Sequence, residues 1–249
     1  MIVLVLAAGS TDAYEQAGSL YPKNLVELAG KPLIQHVFEW LLPLKTAGAE
    51  FVYLVPRAEN ERFFTAAVIR LIDPGAVVVE VPESTAGATC TALLAIEQIR
   101  EGHPLLIVNG DIVIDRDPME FVSDFTARSL DGGVVIFDGI HPRWSYVRLN
   151  EDRLVVEAAE KRPISRHATA GVYWFARGED FVRAASAMML KNAAVDGSFY
   201  IAPVFNELVL LQKSIGVASI RSSEYHSLKD PLDARKYETT LGLTKEPHE

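Results

Sequence analysis

The chain has 249 residues, a formal net charge of -9 and one cysteine, Cys90. The acidic balance speaks against a nucleic-acid surface, which would want a basic patch, and a lone cysteine excludes an internal disulfide. The opening apolar run is too short to cross a membrane and carries no basic flank, so a cytoplasmic protein without a membrane partner is expected. Hydrophobic residues at 49% and charged residues at 23% are the balance of a globular protein with a sizeable core. A single domain is expected over residues 1–243, with a frayed tail at 244–249.

Residues 2–6 (IVLVL) carry no charge and run into Ala7-Ala8-Gly9-Ser10. Such a run reads as a strand buried on both faces of a parallel sheet. A long stretch without helical or alternating period follows, ending on Tyr21-Pro22-Lys23. Long ordered loops commonly work as lids or binding loops, and this one lies just past the carboxyl end of the first strand, where open α/β sheets bind ligands. Helices are expected over 32–45, 59–72 and 87–100, and strands over 51–55, 76–81 and 105–108. Pro32 suits a first helical turn, and Asp73-Pro74-Gly75 is a stop. The second half reads as a helix over 119–127, a strand over 133–137 and a hairpin of 146–149 with 154–157. It continues with a strand over 170–175, helices over 179–190 and 200–211, a strand over 215–220 and a helix over 230–241. Strand–helix alternation with short links gives βαβ units. The expected fold is α/β, a doubly wound, mostly parallel mixed sheet flanked by helices.

The dinucleotide G-x-G-x-x-G and the P-loop pattern are both absent, as is the G-x-S-x-G elbow of Ser-His-Asp hydrolases. Polar islands stand instead at the ends of expected strands. Ala7, Ala8, Gly9 and Ser10 are small enough for a backbone to approach phosphate closely, and Lys23 adds a fixed positive charge; the plain alternative is a surface loop with a solvated lysine. Residues 84–91, with Thr85 and Gly87, form either a base or phosphate seat or a simple helix cap. Asp111, after Asn109-Gly110, suits Mg2+, which takes one or two carboxylates plus phosphate oxygens; an Asx turn is the alternative. Asp115 and Asp117 form a D-x-D with surface or capping roles. Glu160, Lys161 and Arg162 read as an anion and sugar site or as a charged surface segment. Trp144, Tyr146 and Tyr173 either line a sugar pocket or fill the core.

Leu6-Ala7-Ala8-Gly9, followed by Tyr21-Pro22-Lys23-Asn24-Leu25 and Lys31-Pro32-Leu33-Ile34, resembles the signature of the sugar-1-phosphate nucleotidyltransferases, the pyrophosphorylases that make nucleotide sugars. The likeness continues through Thr85-Ala86-Gly87, Asn109-Gly110-Asp111, Glu160-Lys161 and Gly171-Val172-Tyr173 and covers nearly the whole chain in order. The resemblance implies a nucleotide-diphospho-sugar transferase type of fold and Mg2+ as cofactor. Its substrates would be a nucleoside triphosphate and a sugar phosphate or similar phosphorylated metabolite, for surface-polysaccharide precursors. It implies that Ala7, Ala8, Gly9, Ser10, Thr85 and Gly87 contact the nucleotide, with Lys23 on the phosphates. Asp111 would hold the metal, and Glu160, Lys161, Gly171 and Tyr146 the sugar phosphate. Assembly into a homo-oligomer is left open.

The pattern also breaks in two places. Its second glycine falls on Thr11 and its phosphate-gripping arginine on Ala13, beside the acidic Asp12; Arg162 and Lys31 are the candidate substitutes. The late W-x-D-x-G-T-P segment is represented by residues 225–231, so its metal-binding aspartate falls on Ser227, leaving His226 as the nearby candidate ligand. A glycosyltransferase of the related nucleotide-sugar-binding fold and a non-catalytic binding homologue remain the alternative readings.

Overall fold

The computed structural model describes residues 1–82 and 84–242. The expected tail at 244–249 lies outside the described residues. The chain begins with β1 (Ile2–Leu6), every residue of which is buried. Then come a short α1 (Asp12–Gln16), a 3-10 turn (Lys23–Leu25), β2 (Glu27–Leu28), β3 (Lys31–Pro32) and α2 (Leu33–Thr46). β4 (Glu50–Pro56), α3 (Arg57–Phe63), α4 (Thr65–Ile72), β5 (Val77–Val81), α5 (Ala88–Leu93), β6 (Leu105–Asn109) and β7 (Ile112–Ile114) complete the first half. The second half runs α6 (Pro118–Ala127), β8 (Gly132–Asp138), β9 (Ser145–Leu149), β10 (Val155–Glu160), β11 (His167–Phe175) and α7 (Gly178–Leu190). It ends with α8 (Val204–Leu210), β12 (Ile215–Ile220), β13 (Tyr225–Ser227) and α9 (Pro231–Thr240).

Nine strands form one sheet along the path β10-β9-β11-β6-β1-β4-β5, with β8 joined to β11 and β12. β1 lies parallel between β4 and β6, and β4 parallel to β5, as the βαβ reading requires. β11 runs antiparallel to both β6 and β8, which makes the sheet mixed beyond β6. Alternation along β1 sends Val3 and Val5 to one face and Ile2 and Leu4 to the other. Val3 and Val5 join a core with Val37, Leu41 and Phe125 of α2 and α6. Ile2 and Leu4 join a second core with Phe181 and Phe205 of α7 and α8. Helices on both faces explain why this strand can be apolar throughout.

The expected elements are recovered with identifiable differences. The helix expected over 59–72 is split at Phe64, which adopts the left-handed conformation at φ 56°. Asn60 Oδ1 accepts from Ala66 N at 2.8 Å, so a side chain caps the second piece where the backbone ladder breaks. The helix expected over 87–100 stops at Leu93 and gives way to a 3-10 turn (Ile96–Gln98). Leu94 and Ile96 are exposed, and Ala95 is the buried residue that holds the 3-10 segment to the core, leaving it only a narrow apolar stripe. α8 starts only after Pro203, whose missing N–H suits the helix entrance. The opening loop contains α1, whose Tyr14 is buried with its hydroxyl donating to Leu228 O at 2.9 Å.

Candidate active site at the ends of β1 and β6

β1 and β6 are neighbours in register, Leu6 opposite Asn109, so both chains leave the sheet at one level. Gly110 N donates to Leu6 O at 3.0 Å. A Cβ on Gly110 would lie 2.8 Å from both Ala7 Cα and Leu6 O, so this crossing requires glycine. The turn delivers Asp111 to the loop after β1. From that loop, Lys23 N donates to Thr11 Oγ1 at 2.8 Å, and its ammonium reaches Asp111 Oδ2 at 2.6 Å. The side chains of the pair are only 3% and 15% exposed. Gly9 lies beside them: a Cβ there would be 2.8 Å from Lys23 Nζ. Residues separated by 88 positions thus meet on a bare glycine.

Behind the pair is a buried polar support that sequence reasoning missed. Asn24 Nδ2 donates to Ala7 O at 2.8 Å and to both Glu59 oxygens at 2.9 and 3.1 Å. Thr65 Oγ1 donates to the same carboxylate at 2.8 Å. Burial pushes the Glu59 carboxyl above its ordinary pKa, while the Asn24 and Thr65 hydrogen bonds oppose that rise. This network fixes the residue next to Lys23 against the end of β1. Its only trace in the sequence is Asn24 following Pro22-Lys23.

Asp111 is one carboxylate, and no group of three or more His, Cys, Asp or Glu among the described residues could hold a metal ion. A single carboxylate fits Mg2+ arriving with substrate phosphates, not an all-protein cage. His226 does not extend such a cage. Its Nε2 lies 2.7 Å from Asp115 Oδ2, and its ring is tilted against Tyr237 at 5.2 Å. Asp117 caps α6 by accepting from Met119 N at 2.8 Å. The D-x-D carboxylates are therefore engaged in local structure, as surface or capping roles imply.

The second island is a turn pinned to a distant backbone. Phe199 N donates to Ala86 O at 2.7 Å and Thr89 N to Phe199 O at 3.0 Å. Thr85 Oγ1 donates to Gly87 O at 3.1 Å. Gly87 has φ 105° and ψ 174°, a region essentially restricted to glycine. A Cβ on it would stand 2.5 Å from Phe199 O and 2.6 Å from Phe199 N. Gly87→Ala is therefore expected to destabilise the fold by about 2–5 kcal/mol from strain and overpacking together. Urea unfolding with an unchanged midpoint would contradict this packing.

On the β10 side, Glu160 is buried and accepts a short hydrogen bond from the Ser145 hydroxyl. Burial raises its pKa, opposed by the Ser145 bond and by the charges of Lys161 and Lys229. Lys161 is exposed with φ 54°, and its ammonium lies 3.2 Å from Asp196 and 5.3 Å above the Tyr200 ring. A cleft of about 460 Å³ runs here past Glu160, Lys161, Asp196 and Asn206. Gly171 has φ 76°, and a Cβ on it would be 2.5 Å from Asn109 Nδ2, so it serves the close approach of β11 to β6.

Tyr146 requires a correction. It is 0% exposed, and its hydroxyl donates to His141 O at 2.7 Å while accepting from His141 N at 2.5 Å. It is a core residue with no face for a sugar. Tyr173 is likewise buried and bonded to Thr169 at 2.9 Å; burial pushes its hydroxyl up to about 12.

The family described as nucleotidyl transferase matches residues 2–198. The chain belongs to this family. The expected resemblance to sugar-1-phosphate nucleotidyltransferases is borne out, as is the fold. The bifunctional protein GlmU of Methanocaldococcus jannaschii is 25% identical over 182 residues, covering 70% of this chain and 40% of the relative. The chain thus spans well under two thirds of that relative. The nucleoside-diphosphate-sugar pyrophosphorylase of Vibrio cholerae RC9 superposes with a TM-score of 0.83 at 24% identity, covering 96% of this chain and 100% of that one. The inositol-1-phosphate CTP transferase of T. maritima gives 0.74 at 17% identity, over 100% and 97% of the two chains.

Ala13 lies in α1, one residue after the exposed Asp12 and one before the buried Tyr14. Both expected substitutes are engaged by carboxylates. Lys31 bonds Glu39 at 2.8 and 2.9 Å, and Arg162 bonds Glu157 at 3.0 Å.

Proposed function

We propose that the chain joins a nucleoside triphosphate to a sugar 1-phosphate or similar phosphorylated metabolite and releases pyrophosphate. The observation that carries this reading is the Lys23–Asp111 pair, held on Gly9 where the parallel strands end. In the reaction a phosphate oxygen of the acceptor forms a bond to the α-phosphorus. The bond from that phosphorus to the bridging oxygen of the β-phosphate breaks, and pyrophosphate leaves with the electron pair. Such transfers need positioning and neutralisation of charge more than covalent help from the protein.

Lys23 supplies a positive charge that cannot wander, because its backbone is tied to Thr11 and its ammonium to Asp111. Asp111 is the residue that would hold Mg2+, which when bound supplies further neutralisation of phosphate charge. Ala7, Ala8, Gly9 and Ser10 bring backbone close to the triphosphate, and Thr85 and Gly87 form the seat for the base. Glu160 faces the acceptor's hydroxyls, with Gly171 shaping the floor beside Asn109. A nucleotide-activated product suits precursor synthesis for surface polysaccharide in the cytoplasm. The engaged D-x-D carboxylates favour this reading over a glycosyltransferase.

The test is pyrophosphate release with Mg2+ across common nucleoside triphosphates, each paired with sugar 1-phosphates and phosphorylated polyols. Release is expected for at least one pairing and for none lacking an acceptor. A protein that binds nucleotide yet releases no pyrophosphate with any pair would be a binding homologue instead.

A further inference from the structure

Glu59, in α3, receives a hydrogen bond that a continuous helix could not give it. Thr65 Oγ1 donates to Glu59 Oε1 at 2.8 Å from six positions further on. In an uninterrupted α-helix, residues six apart lie about 240° around and about 9 Å along the axis, out of hydrogen-bond reach. The left-handed turn at Phe64, φ 56°, breaks the helix between them and brings the hydroxyl back. The Phe64 side chain is exposed, so its own packing does not account for this unfavourable backbone.

The other partner of the carboxylate is Asn24. The three atoms bonded to Asn24 Nδ2 are all acceptors: Ala7 O at 2.8 Å and the Glu59 oxygens at 2.9 and 3.1 Å. The nitrogen, not the oxygen, is therefore the amide atom that belongs there. Asn24 Oδ1 has no hydrogen-bond partner among the described residues, so the side chain is held by its donors alone. They tie the end of β1 and α3 to the turn that carries Lys23. Asn24 is 1% exposed and Thr65 0%, so water is no ready substitute for either bond to Glu59. The turn's own backbone bonds are Lys23 N to Thr11 Oγ1 at 2.8 Å and Leu25 N to Pro22 O at 2.9 Å.

We propose that Glu59 is a positioning residue for Lys23: acting through Asn24, it fixes the turn that aims the ammonium at the transferring phosphate. This rests on the functional reading above and adds to it the group, outside the site, on which the placement of Lys23 depends. The left-handed turn at Phe64 then has a use, since it lets Thr65 complete the hydrogen bonding of that carboxylate.

The experiment joins hydrogen exchange at the Lys23 amide to steady-state kinetics in Glu59→Ala, Asn24→Ala, their double variant, Glu59→Gln and Ile69→Val. Exchange is read relative to the β1 amides of the same protein, so that a general loss of stability cancels. Each single alanine variant is expected to speed Lys23 exchange about tenfold or more. The double variant should lie within about twofold of either single, because Glu59 acts through Asn24. Glu59→Gln keeps one oxygen for both Asn24 and Thr65 and should retain most of the protection. Ile69→Val thins the buried face of α4 without removing a hydrogen bond of this network, and should leave Lys23 exchange and kcat within about twofold of wild type.

With the substrate pair found active in the panel, Glu59→Ala should lower kcat about 10- to 100-fold and leave both KM values within about threefold. A structural role alone would cost stability and leave kcat unchanged. Wild-type exchange or wild-type kcat in Glu59→Ala, or independent effects that multiply in the double variant, overturns the proposal. The panel reads the functional proposal separately. No turnover by wild type, with the coupled exchange pattern present, would sink nucleotidyl transfer and leave Glu59 as the residue that places Lys23.

Discussion

Lys23→Ala is expected to lower kcat by about 100- to 1000-fold, the usual cost of removing one preorganised group that stabilises developing charge. The same substitution should also cost stability. Asp111, whose side chain is 15% exposed in the pair, would lose its cation, and breaking a pair this enclosed from one side costs about 3 kcal/mol, the low end for buried pairs. The enclosed ion pair, and not the charge of Lys23 alone, is the source of that cost. The double variant Lys23→Ala/Asp111→Ala separates the two effects. Removing both charges should recover part of the lost stability, with a coupling of about 0.5–3 kcal/mol, while turnover stays low. Lys23→Arg should not rescue turnover, because Gly9 and Asp111 crowd the ammonium position and leave no room for a guanidinium. Urea unfolding and initial rates of pyrophosphate release check each variant. Wild-type turnover in Lys23→Ala would remove Lys23 from the chemistry.

The parallel half of the sheet was legible because β1 is an unbroken apolar run and the βαβ links are short. The mixed half was legible as a hairpin and a late strand. What escaped the sequence depends on side chains that act at a distance. Phe64 carries no glycine or proline signal, yet the chain turns left-handed there, with Asn60 capping the next helix. β7 and β13 are three residues each, and β13 pairs with β7 from the far end of the chain. Strands that short have no period to read.

Lys23 and Asp111 were legible as candidates by charge and by their places after apolar runs. Their union was not, since nothing local relates two residues from separate loops. Tyr146 shows the opposite failure. An aromatic at a strand end has the same letter whether it faces a pocket or the core, and only the register decides. Here the register turns it inward, with its hydroxyl closed on His141. Asn24 and Glu59 were unreadable for a further reason: their role is to hold the loop, and both look like ordinary polar residues in a helix or turn.

Asp111→Asn carries the second large expected effect. The amide keeps the shape and can still accept from Lys23, but it leaves the enclosed ammonium without its counter-charge, so a stability cost of about 3 kcal/mol is expected here too. The substitution also removes the carboxylate that the pair offers to a cation. Losing that charge should lower turnover about 100-fold or more and abolish its dependence on Mg2+ in the low millimolar range or below. The direct measurement is pyrophosphate release by wild type and Asp111→Asn over a Mg2+ titration, with the substrate pair found active in the panel. Saturable Mg2+ activation in wild type that disappears in Asp111→Asn is the predicted result. Equal Mg2+ activation in both proteins would contradict transfer at the Lys23–Asp111 pair.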